Sequence, residues 1–192
     1  MQHFKYINSA QIDLHETQIE SNRLKLQPIH LDFLDDVFSE FTSTITRYML
    51  PKPAADKKET LVFIVTSQKN MKLNSEYVAV ITNKYTGEFL GVCGLHGVDQ
   101  CDNPELGIWL KQSAHGRHYG YEAIYALASW AATSIEFEYL IYPVDKANIP
   151  SRKIPEQLGG IIYTTQTVKT QSGHLLNEVV YKIPQYKLLL NH

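Results

Sequence analysis

The stretch "HGRHYGYEAIYAL", His115 to Leu127, opens with small and polar residues and then turns into a helical pattern. A strand that passes through a glycine-containing turn into a helix gathers several main-chain N–H groups at one point, beside the positive end of the helix dipole. The chemistry such a turn offers is anion binding. Gly116 and Gly120 let the backbone approach a ligand without side-chain interference, and Arg117 adds a full positive charge. The glycine spacing differs from the dinucleotide fingerprint, and no Gly-Lys-Ser/Thr follows as a P-loop requires. A tight turn that uses glycine only for geometry is the competing reading. His115 and His118 stand three residues apart, but in a loop and without the third and fourth ligands of a zinc site.

Elements must hold this turn in place. After the loop, Gly120, Ala123, Ile124, Leu127, Ala128 and Ala131 share one helical face, small enough to pack closely on a sheet. "FEYLIYPV" then reads as a buried strand; arriving after a helix, it implies a crossover unit with parallel strands. Upstream, "RLKLQPI" alternates Leu24 and Leu26 with polar residues until Pro28 stops the ladder. Residues 31 to 41 and about 56 to 70 have helical spacing, separated by the proline-bearing connector "LPKPAAD". "EYVAVITN" and "GEFLGVCGLHGV" read as strands joined by a turn at Lys84 to Gly87, and "PELGIWL" as a third, giving an antiparallel meander. Downstream, Asn148 caps a helix ending at Leu158, with Gly159 and Gly160 as its stop. "GIIYTTQTVKT" and "LLNEVVYKI" form a final hairpin, an edge suited to pairing in a homodimer.

Residues 1 to 19 are polar and irregular and read as a loose N-terminal extension; residues 20 to 192 form one α+β domain. With 18 basic against 20 acidic side chains there is no charge excess to neutralise a phosphate polymer, so nucleic acid is not the expected ligand. The start lacks a secretory signal and no segment has the roughly 20 apolar residues of a membrane helix. Two cysteines, Cys93 and Cys101, make neither a disulfide framework nor a metal cage, and a cytoplasmic, reducing location is expected.

The order strand, two helices, three antiparallel strands, glycine-containing loop and helix, strand, helix, hairpin resembles the GNAT superfamily of acetyltransferases. Within it the chain is similar to the branch that contains the ribosomal-protein-alanine N-acetyltransferases. The resemblance covers about residues 20 to 183 and is carried by "RLKLQPI", "PELGIWL", "HGRHYGYEA" and "NIPSRKIPEQLGG" in that order. It implies a mixed, mostly antiparallel central sheet of about seven strands, splayed between the fourth and fifth, with helices on both faces. It also implies that acetyl-CoA is the cosubstrate, its pyrophosphate on the backbone amides of His115, Gly116, Arg117, His118, Tyr119 and Gly120. The pantetheine arm would run between the splayed strands, past main-chain groups near Trp109 and Leu110. Asn148 matches the family asparagine that contacts the cofactor, and Ser151 matches a hydroxyl close to the sulfur.

Two positions depart from the family pattern. His115 stands where Gln or Arg is usual, and His118 replaces the central glycine of the loop, although protonated His118 could itself contact phosphate. Pro155 lies in the segment where many relatives carry a tyrosine that protonates the departing thiolate. A proline there also frees the carbonyl of Ser151, at a cost of roughly 3 kcal/mol, which predicts a kinked or shortened helix.

Acetyl transfer to an amine needs a neutral amine, a polarised carbonyl and a proton for the leaving sulfur. Backbone N–H groups near Leu110 could hold the thioester oxygen. Glu105 alternates with Gly107 and Trp109 along its strand and is the candidate base, with a solvated carboxylate as the plain reading. His96 is an alternative base, or a hydrogen-bonded core group. Ser151 could give the proton to sulfur, or simply help to cap its helix. The expected function is therefore N-acetyl transfer by direct attack in a ternary complex, onto a protein N-terminus or a small-molecule amine. A catalytically silent acyl-CoA-binding module is the alternative.

Overall fold

In the computed structural model, residues 3–9, 11–98 and 100–189 are described. The strands are β1 (Lys5–Tyr6), β2 (Ile19–Glu20), β3 (Leu24–Pro28), β4 (Glu76–Asn83), β5 (Phe89–His96), β6 (Glu105–Leu110), β7 (Ile135–Glu136), β8 (Tyr139–Asp145), β9 (Ile161–Lys169) and β10 (Leu175–Pro184). The helices are α1 (Leu34–Glu40), α2 (Lys57–Lys72), α3 (Tyr119–Ser134), α4 (Ile149–Gln157) and α5 (Gln185–Leu189). Eight strands form one sheet in the order β2-β3-β4-β5-β6-β8-β10-β9, antiparallel throughout except for the β6–β8 pair. The expected seven become eight because Ile19–Glu20 adds a two-residue edge strand on β3.

Alternation along β6 shows how the sheet is covered on both faces. Leu110 lies beside Gly120 of α3, whereas the next residue back, Trp109, packs on Phe41 at the end of α1. Ala123, Ile124, Leu127, Ala128 and Ala131 of α3 are buried, as their spacing requires. On the other face α2 starts at Asp56, whose carboxylate accepts the amides of Lys58 and Glu59, while Glu59 reaches back to the amide of Ala55.

The loose N-terminal extension needs correction within the described residues. Lys5–Tyr6 pairs with β7 of the domain, and Phe4, Leu14 and Ile19 are buried in the core. Polar composition hid this, because three well-spaced apolar anchors are enough to hold such a segment. The helix around Pro155 is short, nine residues, and closes with Gly159 at φ 77° and the Gly160 amide bonded to the Pro155 carbonyl at 2.8 Å. Among the described residues no helix is long and apolar enough to cross a membrane.

Candidate active site

The parallel strands β6 and β8 share a single residue pair, Glu105 with Ile141, where the Ile141 amide bonds the Pro104 carbonyl at 2.9 Å. Beyond that pair they part. On the other side β6 stays in register with β5 over its whole length, and the Lys111 amide bonds the Leu90 carbonyl at 2.8 Å. Antiparallel ladders alternate, so this bond turns the main-chain groups of Trp109 toward β5 and those of Ile108 and Leu110 into the gap. Gly91 permits the approach of β5 at this point: a Cβ there would lie 2.2 Å from the Trp109 carbonyl oxygen.

The loop that follows β6 is tied back to the gap. His115 Nε2 donates to the Leu110 carbonyl at 2.9 Å, so its ring clamps the loop to the strand. Gly116 has φ 74° and faces open space. His118 has φ 63°, the left-handed conformation that glycine supplies most cheaply, and a histidine there costs roughly 1 kcal/mol. The departure from the family pattern is thus absorbed by the backbone, and α3 starts directly after it. No side chain caps α3, which leaves the first-turn amides at Tyr119 and Gly120 directed out of the helix end. Gly120 itself faces inward, where a Cβ would stand 3.3 Å from Ile154 of α4 and 3.8 Å from Leu110. Its small size serves close packing of α3, α4 and β6 at the gap.

Arg23 braces this corner. It pairs with Glu122 at 2.6 Å, donates to the Arg117 carbonyl at 3.1 Å and lies 4.6 Å over the Tyr119 ring. Burial alone would raise the Glu122 carboxyl, but hydrogen bonds from Ser21 and Arg23 outweigh it and hold the group below the usual range. Tyr119 is buried, so only its main chain faces the loop, and the Arg117 side chain is exposed.

On the face of β6 that carries Trp109, a row of ionisable groups crosses three strands. Glu76, His96 and Glu105 are register neighbours on β4, β5 and β6. His96 Nδ1 bonds the Glu76 carboxylate, whose other oxygen accepts from Asn70 at 3.1 Å. Burial pushes the Glu105 carboxyl up, the His96 ring opposes this, and Glu178 of β10 pushes it further up. A carboxyl raised in this way is suited to taking a proton from an ammonium group.

Beyond the gap, Ser151 in the first turn of α4 has its Oγ 2.9 Å from the Tyr142 hydroxyl. Tyr142 is buried on β8, and burial, partly offset by Ser151, pushes its phenol up to about 12. Asn148 accepts the Ser151 amide at 3.4 Å, a capping role that its place before the helix announced. A cleft of about 700 Å³ opens at the far end of β8, lined among others by Thr44, Arg47, Tyr48, Asp145 and His174. The "TSTITRYMLPKPAAD" segment therefore borders it.

The structure thus brings the Leu110 main chain, His115 and Gly120 to the gap, with Ser151 beside Tyr142 of β8 and Asn148 capping its helix; the Trp109 main chain turns to β5 instead, because the β5–β6 ladder claims its groups, and Glu105 lies on the opposite face of its strand from Leu110. Gly116, Arg117 and His118 lie on the loop at the edge of the gap. Sequence reasoning passed over Gly91, Glu76, Tyr142 and Arg47. Gly91 carried a signal, since a glycine inside a strand marks close backbone approach. The others had none, because their meaning comes from partners distant in the chain.

YkkB of Bacillus subtilis is 26% identical over 106 residues, 54% of this chain and 62% of YkkB, so the match spans less than two thirds of that relative. The spermidine N-acetyltransferase of Vibrio cholerae, solved with CoA and spermine, superimposes with a TM-score of 0.76 at 16% identity, covering 88% of this chain and 99% of that one. RimL, a ribosomal L7/L12 alpha-N-protein acetyltransferase solved with coenzyme A, gives 0.74 at 13% identity, covering 88% and 98%. The match to the acetyltransferase (GNAT) domain runs from Arg23 at the head of the sheet to Ile161 at the start of β9 and takes in every element that frames the gap; the chain belongs to that family.

Proposed function

We propose that this protein transfers an acetyl group from acetyl-CoA to a primary amine by direct attack in a ternary complex. The observation that carries this reading is the single-pair β6–β8 ladder opening beside the uncapped start of α3. Acetyl-CoA would supply the activated thioester. The amides of residues 115–120 and the dipole of α3 would hold its pyrophosphate, with Asn148 close by, and the Leu110 amide would hold the thioester oxygen.

Glu105 takes the first proton of the incoming ammonium, directly or through water, and passes it to solvent; the amine nitrogen then attacks the carbonyl carbon and releases its second proton to Glu105. As the C–N bond forms and the C–S bond breaks, Ser151 gives a proton to the sulfur. Tyr142, kept protonated by burial, returns a proton to Ser151 along their hydrogen bond and is itself reprotonated through water as product leaves. Tyr142 thus supplies from β8 the phenol that Pro155 displaces from α4.

RimL and the spermidine enzyme share this fold and act on a protein amine and a polyamine, so fold alone does not choose the acceptor. The test is thiol release from acetyl-CoA across an amine panel. Amine-dependent release that falls about 100-fold or more in Glu105→Gln is expected. Firm CoA binding with no transfer to any amine would reject the proposal in favour of a silent binding module.

A further inference from the structure

The cleft at the end of β8 has a distinctive distribution of charge. Arg47 is the one arginine or lysine among its lining residues, and among the described residues no carboxylate comes within ion-pair distance of it. Its guanidinium lies 5.2 Å from the centre of the Tyr48 ring, which supports it from one side.

The segment that carries Arg47 is held firmly. Thr46 is buried, the Met49 amide bonds the Thr46 carbonyl at 3.0 Å, and His174 Nε2 donates to the Arg47 carbonyl at 3.1 Å. The Gln171 amide bonds the Leu50 carbonyl at 2.9 Å. The α1–α2 connector and the β9–β10 turn therefore close over the cleft as one wall, and Arg47 projects from it.

Asp145, at the end of β8, is the one carboxylate among the cleft's lining residues. Asp145 is buried with both oxygens accepting main-chain amides, from Ala147 and Asn177, each at 2.8 Å. Its register neighbour is Glu178, which acts on Glu105. An acceptor in this cleft meets the buried Asp145 carboxylate at the end of β8 and, on the connector wall, the Arg47 guanidinium. That polarity suits a molecule with an ammonium at one end and an anion at the other.

We infer that Arg47 forms a subsite for an anionic group on the acceptor, so that the preferred substrate is an amine bearing a carboxylate. The proposal rests on the acetyltransferase reading above and narrows it. A linear polyamine has nothing to offer Arg47 and would place a second cation against it. A carboxylate can come from a free amino acid or from an acidic side chain next to a peptide N-terminus; both give Arg47 a bidentate partner.

The experiment measures kcat/KM by thiol release for matched acceptors. These are a free amino acid and its carboxamide, a short peptide with Asp or Glu at its second position and its Asn or Gln counterpart, and spermidine. Carboxylate acceptors are expected to exceed their amides by about tenfold or more, mainly through KM, as loss of one charge-assisted contact implies. Arg47→Gln should collapse that ratio toward one, and Arg47→Lys should retain part of it. Which carboxylate acceptor wins separates the amino acid from the peptide. Equal rates for carboxylate and amide, spermidine as the best acceptor, or an unchanged ratio in a folded Arg47→Gln protein would overturn this inference alone. No amine-dependent release at all would overturn the acetyltransferase reading, and this inference with it.

Discussion

The two faces of β6 are built on different principles. Along the gap where α3 begins, the strand offers main-chain groups of Ile108 and Leu110, a loop clamped by His115 and a helix start without a side-chain cap. Toward α1 and α2, it offers side chains: Glu105 in a row with His96 and Glu76, and Trp109 against Phe41. Backbone donors tolerate many residue types as long as the path of the chain is kept. Ionisable side chains tolerate few, because their charge states depend on each neighbour. Under the proposed function, the gap should therefore fail through geometry and the carboxylate row through chemistry.

The sharpest way to break that contrast is Gly91→Val. A β-carbon there meets the Trp109 carbonyl at 2.2 Å and the Leu110 Cα at 2.8 Å, so β5 and β6 must separate on both faces at once. Loss of roughly 3 kcal/mol or more is expected in chemical denaturation, together with loss of CoA binding. A stability near that of the parent would show that the β5–β6 contact does not set the gap.

Next in size is Glu105→Gln, with a drop of about 100-fold or more in kcat/KM and nearly unchanged CoA affinity by calorimetry. The parent rate should rise with pH through the raised Glu105 range, and this limb should vanish in the variant. Stability should run the other way. A carboxyl raised in the folded state contributes stability that is full below its unfolded value and is lost as pH climbs through the folded one. At neutral pH the variant should therefore melt higher than the parent. A lower melting temperature there would mean that His96 more than compensates the buried charge.

Ser151→Ala should reduce kcat by about tenfold to 100-fold, and Tyr142→Phe by less, since solvent can also return a proton to Ser151. Equal losses would make the pair one unit. The smallest effects belong to His118. His118→Gly keeps φ 63° available and should leave CoA affinity within about threefold and stability within about 1 kcal/mol, whereas His118→Val should weaken CoA binding by misplacing the α3 amides. Strong weakening in His118→Gly would assign the imidazole a direct phosphate contact.

Much of the fold was legible because its signals are local. The apolar run in "EYVAVITN", buried on both faces, and the small-residue face from Gly120 to Ala131 each specify an element from neighbours within a few positions. So does the cap at Asn148. The N-terminal segment misled for the opposite reason: Phe4 and Leu14 show no period, and only the core they reach explains them. At the site, Glu105 was singled out by strand parity and Ser151 by the family resemblance. Their partners Glu76 and Tyr142 could not be, because register and crossover bring them close.

By itself, then, the sequence determined the main elements, their order and the glycine-containing turn before α3, since each depends on short-range backbone preference and periodicity. Tertiary structure alone decided that β6 and β8 separate after one pair. It alone lined up Glu76, His96 and Glu105 across three strands and, among the described residues, left Arg47 without a carboxylate partner in the cleft that Asp145 also lines. Those outcomes depend on how strands far apart in the chain meet, and on the burial and charge each side chain meets there.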